Sequence, residues 1–396
     1  MRWDFVQLGE LYEVHNGLSK GRQFFGRGYP FLSFSIVFNN WFLPKMLPDL
    51  VQSSDKERES YSILRGDVFI TRTSETMDEL GMSSVALMDY PNATYNGFTK
   101  RLRPIDKKRI LPEYIGYYLR CNEFRSKFIA FSTMTTRASL RNEDLLSIKV
   151  PVPPLDIQRR IADILSTYDD LIENNRKQIK LLEEAAQRLY KEWFVDLRFP
   201  GREHTRIVDG VPEGWKKEPL SAIADVTMGQ SPKSEFYNHI GEGLPFHQGV
   251  GTYGTRFVKN ETYTTSYTRI AEAGSILFSV RAPVGRLNLT ENRIAIGRGI
   301  AALNHKSRFQ SFLFYMLKER FFKDNLVGNG SIFASISKDE LLKQQFMIPL
   351  KDIMEQYDEA ARNIDDKISG ASKQIELLIY ARDCLLPKLM SGEVEA

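Results

Sequence analysis

Short clusters of basic and polar residues recur between the predicted strands of this chain. Lysine and arginine neutralise phosphates, arginine and glutamine can pair with base edges, and serine and threonine hydroxyls bind phosphate oxygens. These residue types in predicted loops indicate a nucleic-acid surface, and for each residue ordinary surface charge is the alternative interpretation. The candidate DNA-contacting residues are Lys20, Arg22, Arg72, Thr73, Lys100, Arg101, Arg137, Ser231, Lys233, Gln248, Tyr253, Arg281 and Arg298.

Two arginines of this set are distinguished by their neighbours. Arg281 lies in Ser279-Val280-Arg281-Ala282-Pro283, and Arg298 lies in Gly297-Arg298-Gly299. The small flanking residues leave both backbone and side chain accessible. We therefore expect Arg281→Ala to lower affinity for a specific DNA site.

A glycine-rich segment tests whether the chain binds a cofactor. Residues 249–254 match GxGxxG, but a dinucleotide or S-adenosylmethionine loop must follow a strand and open a helix. The next residues, 255–267, are rich in Thr, Tyr and Phe, which is typical of strand or loop. We interpret the glycines as allowing the backbone to approach DNA closely.

Other catalytic signatures are missing from the sequence. Pro153-Pro154 lacks the preceding acid or amide that an amino-methyltransferase needs, and there is no Walker lysine loop. The five histidines have no metal-ligand spacing, and Cys121 and Cys384 form no CxxC pair. We predict no catalytic, cofactor-binding or metal-binding residue here. A DNA methyltransferase or nuclease with a disguised site, and a non-catalytic coiled-coil scaffold, are the alternatives.

Charge alternates along the chain in four blocks. Residues 20–140 carry 18 Lys/Arg and 12 Asp/Glu, and residues 215–335 carry 15 and 9. Residues 156–200 carry 8 and 9, and residues 338–396 carry 8 and 12. Two basic blocks separated by neutral-to-acidic ones are compatible with nucleic-acid binding by the basic blocks, and ordinary solvated surface charge is the alternative interpretation.

Composition sets the general class of protein. The 396 residues, 42% of them hydrophobic, exceed what a single domain usually contains. No run of 18 apolar residues and no signal-peptide pattern occur, so we expect no membrane association. Together with the two unpaired cysteines, this predicts a location in the reducing cytoplasm.

An internal repeat organises the chain. At an offset of 196 residues the match runs without a gap from Ala138 to Leu189, and at an offset of 212 Trp3 and Gly17 fall on Trp215 and Gly229. The first copy is therefore 16 residues longer in its middle. Matching segments at the offset of 196 are Ala138-Ser139 with Ala334-Ser335, Asp169-Asp170 with Asp365-Asp366, and Lys177-Gln178-Ile179 with Lys373-Gln374-Ile375.

The repeated ends predict two long helices, from Asp156 to Phe199 and from about Asp352 to Arg382, with Gly370 weakening the second. A helix of ~40 residues is ~60 Å long, too long for a narrow apolar stripe to be covered by one small domain. We therefore favour packing of the two helices against each other, and separate helices, each covering its own domain, are the alternative. The predicted packing residues are Ile161, Tyr168, Leu182, Leu189, Ile364, Leu378 and Leu385.

The segments between the helices predict mixed domains. Strand-like runs at 67–70 and 275–278 follow Gly66 and Gly274, and amphipathic segments near 112–131 and 307–325 carry aromatic residues typical of a core. The predicted fold class is α+β. The predicted domains are 1–153 and 201–350, with helices in 154–200 and 351–396.

Several segments together resemble the DNA-specificity subunits of type I restriction-modification enzymes. Pro151-Val152-Pro153-Pro154 followed by Gln158, Ile161 and Leu165 is similar to the central conserved region of that family. Similar helix ends are Arg188–Asp196 and Leu385–Glu393, and Ser279–Gly285 with Gly297-Arg298-Gly299 resembles an element of its target-recognition domains.

The resemblance implies two target-recognition domains held apart by two antiparallel conserved helices that form a coiled coil, with pseudo-two-fold symmetry. Each domain would read half of a bipartite, asymmetric site in double-stranded DNA. Two methyltransferase (modification) subunits would bring S-adenosylmethionine, and restriction subunits would bring ATP- and magnesium-dependent translocation and cleavage. The chain itself would catalyse nothing and bind no cofactor.

Overall fold

The computed structural model describes residues 3–74, 80–130, 133–134, 138–139, 141–321 and 335–396. The chain divides into two compact units, one formed by residues 1–174 and 374–396 and the other by residues 175–373. Each unit contains one domain of strands and helices and a segment of both long helices. No helix among the described residues is long and apolar enough to span a membrane.

The first domain mixes short strands and helices around two sheets. A four-stranded sheet has the order β2-β9-β5-β7, and a three-stranded sheet, β4-β3-β8, contains a parallel pair. The strands are β1 (Phe5–Gln7), β2 (Tyr12–Asn16), β3 (Phe25–Leu32), β4 (Asp49–Val51), β5 (Val68–Thr71), β6 (Thr73–Ser74), β7 (Ser83–Val85), β8 (Thr94–Tyr95), β9 (Thr99–Pro104), β10 (Thr133–Met134), β11 (Ala138–Ser139) and β12 (Lys149–Pro151). The helices are α1 (Leu8–Leu11), α2 (Phe34–Asn39), α3 (Asp55–Ser60), α4 (Pro112–Tyr118), α5 (Asn122–Ala130) and α6 (Asn142–Ser147), followed by the long helix α7 (Leu155–Phe194).

The second domain has the same framework. Its four-stranded sheet has the order β16-β24-β21-β22, and a second sheet, β17-β19-β18-β23-β20, again contains a parallel pair, β18 with β23. The strands are β13 (Ile207–Val208), β14 (Val211–Pro212), β15 (Lys216–Pro219), β16 (Ala224–Met228), β17 (Tyr237–Asn238), β18 (Leu244–His247), β19 (Tyr263–Thr264), β20 (Ile270–Ala271), β21 (Ile276–Ser279), β22 (Leu287–Leu289), β23 (Ile294–Ile296), β24 (Ile300–His305) and β25 (Gln345–Ile348). The helices are α8 (Leu220–Ile223), α9 (Gln310–Phe321), α10 (Lys338–Leu342) and the long helix α11 (Lys351–Ser391).

Strand register agrees with the sequence repeat. Phe5 pairs with Pro151 in the first domain, and Lys217 pairs with Met347 in the second, at the offsets of 212 and 196 residues found in the sequence. The predicted strands at 67–70 and 275–278 are confirmed as β5 and β21. Gly66 and Gly274, which begin the turns before them, have φ of 95° and 82°, a region that glycine adopts without strain.

Both predicted long helices are present, with shifted ends. Helix α7 ends at Phe194, five residues before the predicted end, and α11 continues to Ser391, nine residues past it. Gly370 stays within α11 with open space around it, and Pro387 lies in its last two turns. Helix α11 persists because it is packed along its length, and this packing outweighs the low helix propensity of both residues.

In the first unit, segments of both long helices contribute to one core. Ile161 of α7 is fully buried in the same cluster as Leu389 of α11, and Leu385 packs against that cluster. Tyr168 and Leu378 are half-buried.

The same holds in the second unit. Tyr357 of α11 is fully buried against Tyr190 of α7, with ring centroids 5.7 Å apart, and its hydroxyl donates to the Ala186 carbonyl. Leu189 and Ile364 pack against this core, and Leu182 is half-buried. Of the predicted packing residues in this unit, Leu182, Leu189 and Ile364 therefore lie at the edge of a core that contains the fully buried Ala186 and Tyr357.

Candidate nucleic-acid interface

Four loops of the second domain converge at one edge of its two sheets. The Gln230 amide donates to the Ile296 carbonyl at 2.9 Å, and the Gly297 amide donates to the His247 carbonyl at 2.8 Å. The Val280 amide donates to the Gly299 carbonyl at 3.0 Å. We call the loops that these bonds join, residues 229–233, 247–249, 280–281 and 297–299, the second tip.

Glycines make this convergence possible. A Cβ atom on Gly229 would lie 2.2 Å from the Gly297 carbonyl oxygen, and one on Gly299 would lie 2.3 Å from the Gln248 carbonyl oxygen. Both distances are far inside van der Waals contact, so a side chain at either position would separate the loops. The Gly-Arg-Gly motif thus holds an arginine between two closely packed backbone segments.

The second tip presents polar side chains to solvent. Arg281, Arg298 and Gln248 are exposed, and the Ser231 hydroxyl accepts the Arg298 amide at 3.2 Å. Exposed guanidinium and amide groups on a rigid backbone can pair with base edges and phosphates. The structure therefore brings together four residues that the sequence only suggested separately. Lys233 is exposed at the margin, 3.8 Å from Glu235.

Tyr253 occupies a different environment. It is half-buried against a cluster of core residues, and burial raises the pKa of its hydroxyl far above the usual value. The glycine-rich segment around it forms a 3-10 helix, Val250–Thr252, and then a short bridge from Tyr253 to Val258. It does not open an α-helix, so it lacks the geometry of a dinucleotide loop.

His247 is a positioning residue within the second tip. Its ring is fully buried, with Nδ1 2.8 Å from the Thr252 hydroxyl and Nε2 3.1 Å from the Asn260 side-chain oxygen. Burial lowers its pKa, so the neutral ring is favoured. Its carbonyl then receives the Gly297 amide, which links the buried ring to the arginine loop.

The first domain builds an equivalent edge from different side chains. The Leu18 amide donates to the Tyr95 carbonyl at 2.8 Å, and the Arg72 amide donates to the Phe98 carbonyl at 3.0 Å. A Cβ atom on Gly17 would lie 2.0 Å from the Asn96 carbonyl oxygen, as Gly229 faces Gly297 in the second domain. We call residues 16–22, 72 and 96–99 the first tip.

Side chains of the first tip differ in their exposure to solvent and in their bonds to the rest of the domain. Arg22 is exposed in a 3-10 helix, and Phe98 is 54% exposed. Arg72 is half-buried and donates to the Asn16 side chain at 3.3 Å. Lys20 donates to the Gln52 carbonyl at 2.6 Å and the Glu57 carboxylate at 2.8 Å, so its charge is compensated within the domain.

Two predicted contact residues lie inside the first domain. Lys100 is 6% exposed and bonds to the Asn142 side chain, and Arg101 is 3% exposed and donates to the Ser62 carbonyl at 2.8 Å. Burial lowers the pKa of both groups, with nearby Arg72 adding to the effect on Lys100. Neither side chain can reach a phosphate from this position, so we assign them structural roles.

The other two predicted positions are only partly described. Thr73 lies in β6, paired with Ser139 as Arg281 is paired with Ser335 in the second domain. Arg137 lies outside the described residues. Asn16, Asn96 and Phe98 were not predicted. The sequence signal that could have found this tip is the offset of 212, which places Gly17 on Gly229.

Among the residues that the structure describes, no group of three or more His, Cys, Asp or Glu side chains could hold a metal ion.

Comparisons with known proteins give a consistent result. The family described as type I restriction modification DNA specificity domain matches residues 1–184 and 212–374. A protein of Methanocaldococcus jannaschii, named as the MjaX specificity subunit of a type I restriction enzyme, is 30% identical, covering 99% of this chain and 93% of that protein. The type I restriction enzyme HindI specificity subunit of Haemophilus influenzae is 23% identical and covers 99% of each chain.

A solved structure has a similar fold. The crystal structure of the S subunit of a type I restriction-modification system from M. genitalium superposes with a TM-score of 0.57 at 15% identity, covering 98% of this chain and 96% of that one.

Proposed function

The chain belongs to the type I restriction modification DNA specificity family, and on this premise we propose that its two tips each read one half of a bipartite, asymmetric site in double-stranded DNA. The chain is the sequence-reading subunit of its restriction-modification system. Modification and restriction subunits carry out the chemistry in such systems, and this chain itself catalyses nothing.

One observation carries this proposal: two equivalent tips share a backbone frame and differ in their exposed side chains. The four-stranded sheets correspond in strand order and register, and Gly17 lies against the Asn96 carbonyl as Gly229 lies against the Gly297 carbonyl. The exposed groups are Arg22 and Phe98 in one, and Gln248, Arg281 and Arg298 in the other. Two tips with a similar backbone but different exposed side chains suit a DNA site whose two halves have different sequences.

The long helices would set the distance between the half-sites. Their contacts within each unit, Asp169 with Arg382 and Tyr190 with Tyr357, run in opposite chain directions. These contacts support two antiparallel helices forming a coiled coil, with the recognition domains related by a pseudo-two-fold axis. A fixed helix length would then act as a ruler for spacer length, as dimer geometry does for other DNA-binding proteins.

The repeat also bears on partners. Segments of the two long helices repeat at the offset of 196, among them Lys177-Gln178-Ile179 and Lys373-Gln374-Ile375. Repeated segments suit identical partners, so we propose that two copies of the methyltransferase subunit dock on the chain. They would supply S-adenosylmethionine, and restriction subunits would supply ATP- and magnesium-dependent translocation and cleavage. We propose that the assembly works in the cytoplasm, because its ligand would be cellular DNA.

The test is detection of modified bases across the genome of the source cells, with and without this gene. We expect methylation at one bipartite motif to disappear when the gene is deleted. Unchanged methylation at every motif would contradict the proposal.

The helix arrangement has its own test. Leu182→Glu and Leu378→Glu place a charge at half-buried positions of α7 and α11, so we expect lower thermal stability and weaker partner assembly. Melting and co-purification of modification subunits measure this. Wild-type values for both variants would count against mutual packing of the helices.

A further inference from the structure

On each long helix, a partly buried aspartate accepts a hydrogen bond from a tyrosine hydroxyl of the recognition domain in its unit. In the first unit, Tyr117 of α4 donates to Asp169 of α7 at 2.7 Å. In the second, Tyr315 of α9 donates to Asp365 of α11 at 2.7 Å. Asp169 and Asp365 are repeat equivalents at the offset of 196, so the arrangement recurs in both units.

Burial keeps these tyrosines as hydrogen-bond donors. It raises the pKa of Tyr117 and of Tyr315 well above the usual range, and at Tyr117 the Asp169 carboxylate raises it further. Both hydroxyls therefore stay protonated at any physiological pH. A protonated hydroxyl facing a carboxylate forms a strong, directional bond.

Each aspartate also pairs with an arginine, but the two arginines come from different elements. In the first unit, Arg382 of α11 pairs with Asp169 and lies 4.7 Å from the ring centre of Trp41 in the recognition domain. This cluster, which we call the first node, therefore joins the domain to both long helices.

In the second unit the arginine belongs to the recognition domain itself. Arg256 pairs with Asp365 of α11, lies 3.9 Å from Glu183 of α7 and stacks on Phe314 at 3.7 Å. The Ser311 hydroxyl also donates to Asp365, at 2.6 Å. This second node again joins the domain to both helices.

The repeat explains the exchange. At the offset of 196, Arg382 corresponds to Ala186 of α7. Ala186 is buried and uncharged, so it cannot pair with Asp365 as Arg382 pairs with Asp169. The carboxylate of Asp365 thus obtains its cation from the recognition domain. Both units therefore contain a three-way junction, although its arginine comes from α11 in one and from the recognition domain in the other.

We propose that the two nodes fix the angle at which each recognition domain leaves the helices, and that they thereby set the spacer length that the protein accepts. This inference rests on the proposed function, because a spacer exists only if the two tips read two half-sites. Asp169, Tyr117, Arg382, Asp365, Tyr315 and Arg256 are positioning residues that need not touch DNA.

The two nodes should differ in how strongly they respond to loss of the aspartate carboxylate. Arg256 has a side chain only 2% exposed, with Asp365 as its near partner. Arg382 is 12% exposed and has a second carboxylate, Asp383, at 2.8 Å. Removing the partner of a buried charge is costly, whereas a partly exposed charge with a second partner loses less. We therefore expect Asp365→Asn to have a larger effect than Asp169→Asn.

The experiment uses the full chain co-expressed with its modification subunits. Binding is measured to duplexes carrying the bipartite target with its natural spacer, with one base pair added or removed, and to duplexes carrying one half-site. We expect wild type to favour the natural spacer by about ten-fold or more, and Asp365→Asn to reduce this preference to about three-fold. Half-site affinity should stay within about two-fold of wild type.

Controls separate positioning from general damage. Asp366→Asn and Asp170→Asn remove exposed carboxylates next to the nodes and should leave the spacer profile unchanged. If Asp365→Asn does not fold, the double variant Arg256→Met with Asp365→Leu replaces the buried pair by apolar groups, which proteins often tolerate. It should fold and show the same broadened profile.

The outcomes are distinct. An unchanged spacer profile in a folded node variant, or a parallel fall in half-site and bipartite affinity, would overturn this inference alone. If wild type itself showed no preference for bipartite over half-site DNA, the proposed function would fail first, and the role of the nodes in spacing would fail with it.

Discussion

The two tips of this protein use a similar backbone frame for two different sets of exposed side chains. In both, a glycine crosses close to a carbonyl, Gly17 over Asn96 and Gly229 over Gly297. At the same frame, the second tip exposes arginines and the first exposes Phe98 and Arg22. The difference teaches that the main-chain crossings fix the positions of the tip loops. The exposed side chains on those loops can differ without a change in the fold of the domain.

The sheets beneath the tips differ in the same way. Strand β9 carries Lys100 and Arg101, and the register places Ala301 and Ala302 of β24 at the equivalent positions. The first domain therefore buries two cations where the second buries two methyl groups. Positive charge in the first block thus overstates the number of cations available to DNA.

The largest expected effect follows from breaking the frame of one tip. Gly229→Ala would place a Cβ 2.2 Å from the Gly297 oxygen, so the second tip should lose about 3 kcal/mol of stability and its half-site binding. Gly17→Ala should do the same to the first half-site. Thermal unfolding and binding to single half-sites measure both. Gly370→Ala, which has open space and lies outside both tips, should leave binding to both half-sites as in wild type.

Next in size is the loss of an exposed arginine from the second tip. Arg298→Ala and Arg281→Ala should each cost about 2 kcal/mol of binding free energy at the half-site read by this tip. Titration of half-site duplexes at fixed salt gives the value. Arg293→Ala, an exposed arginine that precedes β23 and lies near Glu272, is the matched control. Equal losses in the control would mean that net charge alone matters.

A smaller effect is expected where the first tip presents an aromatic ring. Phe98→Ala should weaken binding to the other half-site by about 1 kcal/mol without changing the salt dependence, because no charge is removed. Met88→Ala removes an exposed apolar side chain outside the tip and should have no effect. A changed salt slope in Phe98→Ala would show that the variant disturbs the neighbouring cations.

The smallest effect tests the buried cations. Lys100→Met should leave the slope of log affinity against log salt unchanged, because the buried ammonium group releases no counterion when DNA binds. Arg22→Ala, at an exposed position of the first tip, should reduce that slope by about 1. A reduction of similar size in Lys100→Met would show that Lys100 contacts DNA phosphates.

Much of the architecture could be predicted from the sequence. The offsets of 212 and 196 reappear as strand registers, and the two long apolar stripes become α7 and α11. Periodicity and repeats survive because they depend on short-range spacing that every copy must satisfy. The helix ends were predicted less well, because packing decides where a helix stops.

The candidate site was only half accessible to such reasoning. Arg281 and Arg298 are exposed, as their small flanking residues indicated, and Gln248 is exposed in the same tip. Lys20, Lys100 and Arg101 carry the same chemistry but are bonded within the domain. Residue type gives the charge of a side chain, whereas burial and partners depend on which distant segments pack around it.

The sequence by itself determined the repeat, the mixed domains, the two long helices and the family, since all of these lie in the order and spacing of residues along the chain. Only the tertiary structure decided which cations face solvent, which glycines let loops cross, and that Asp169 and Asp365 obtain their arginines from different elements. The physical reason is that such contacts join residues up to hundreds of positions apart, and their energies depend on burial that no local pattern records.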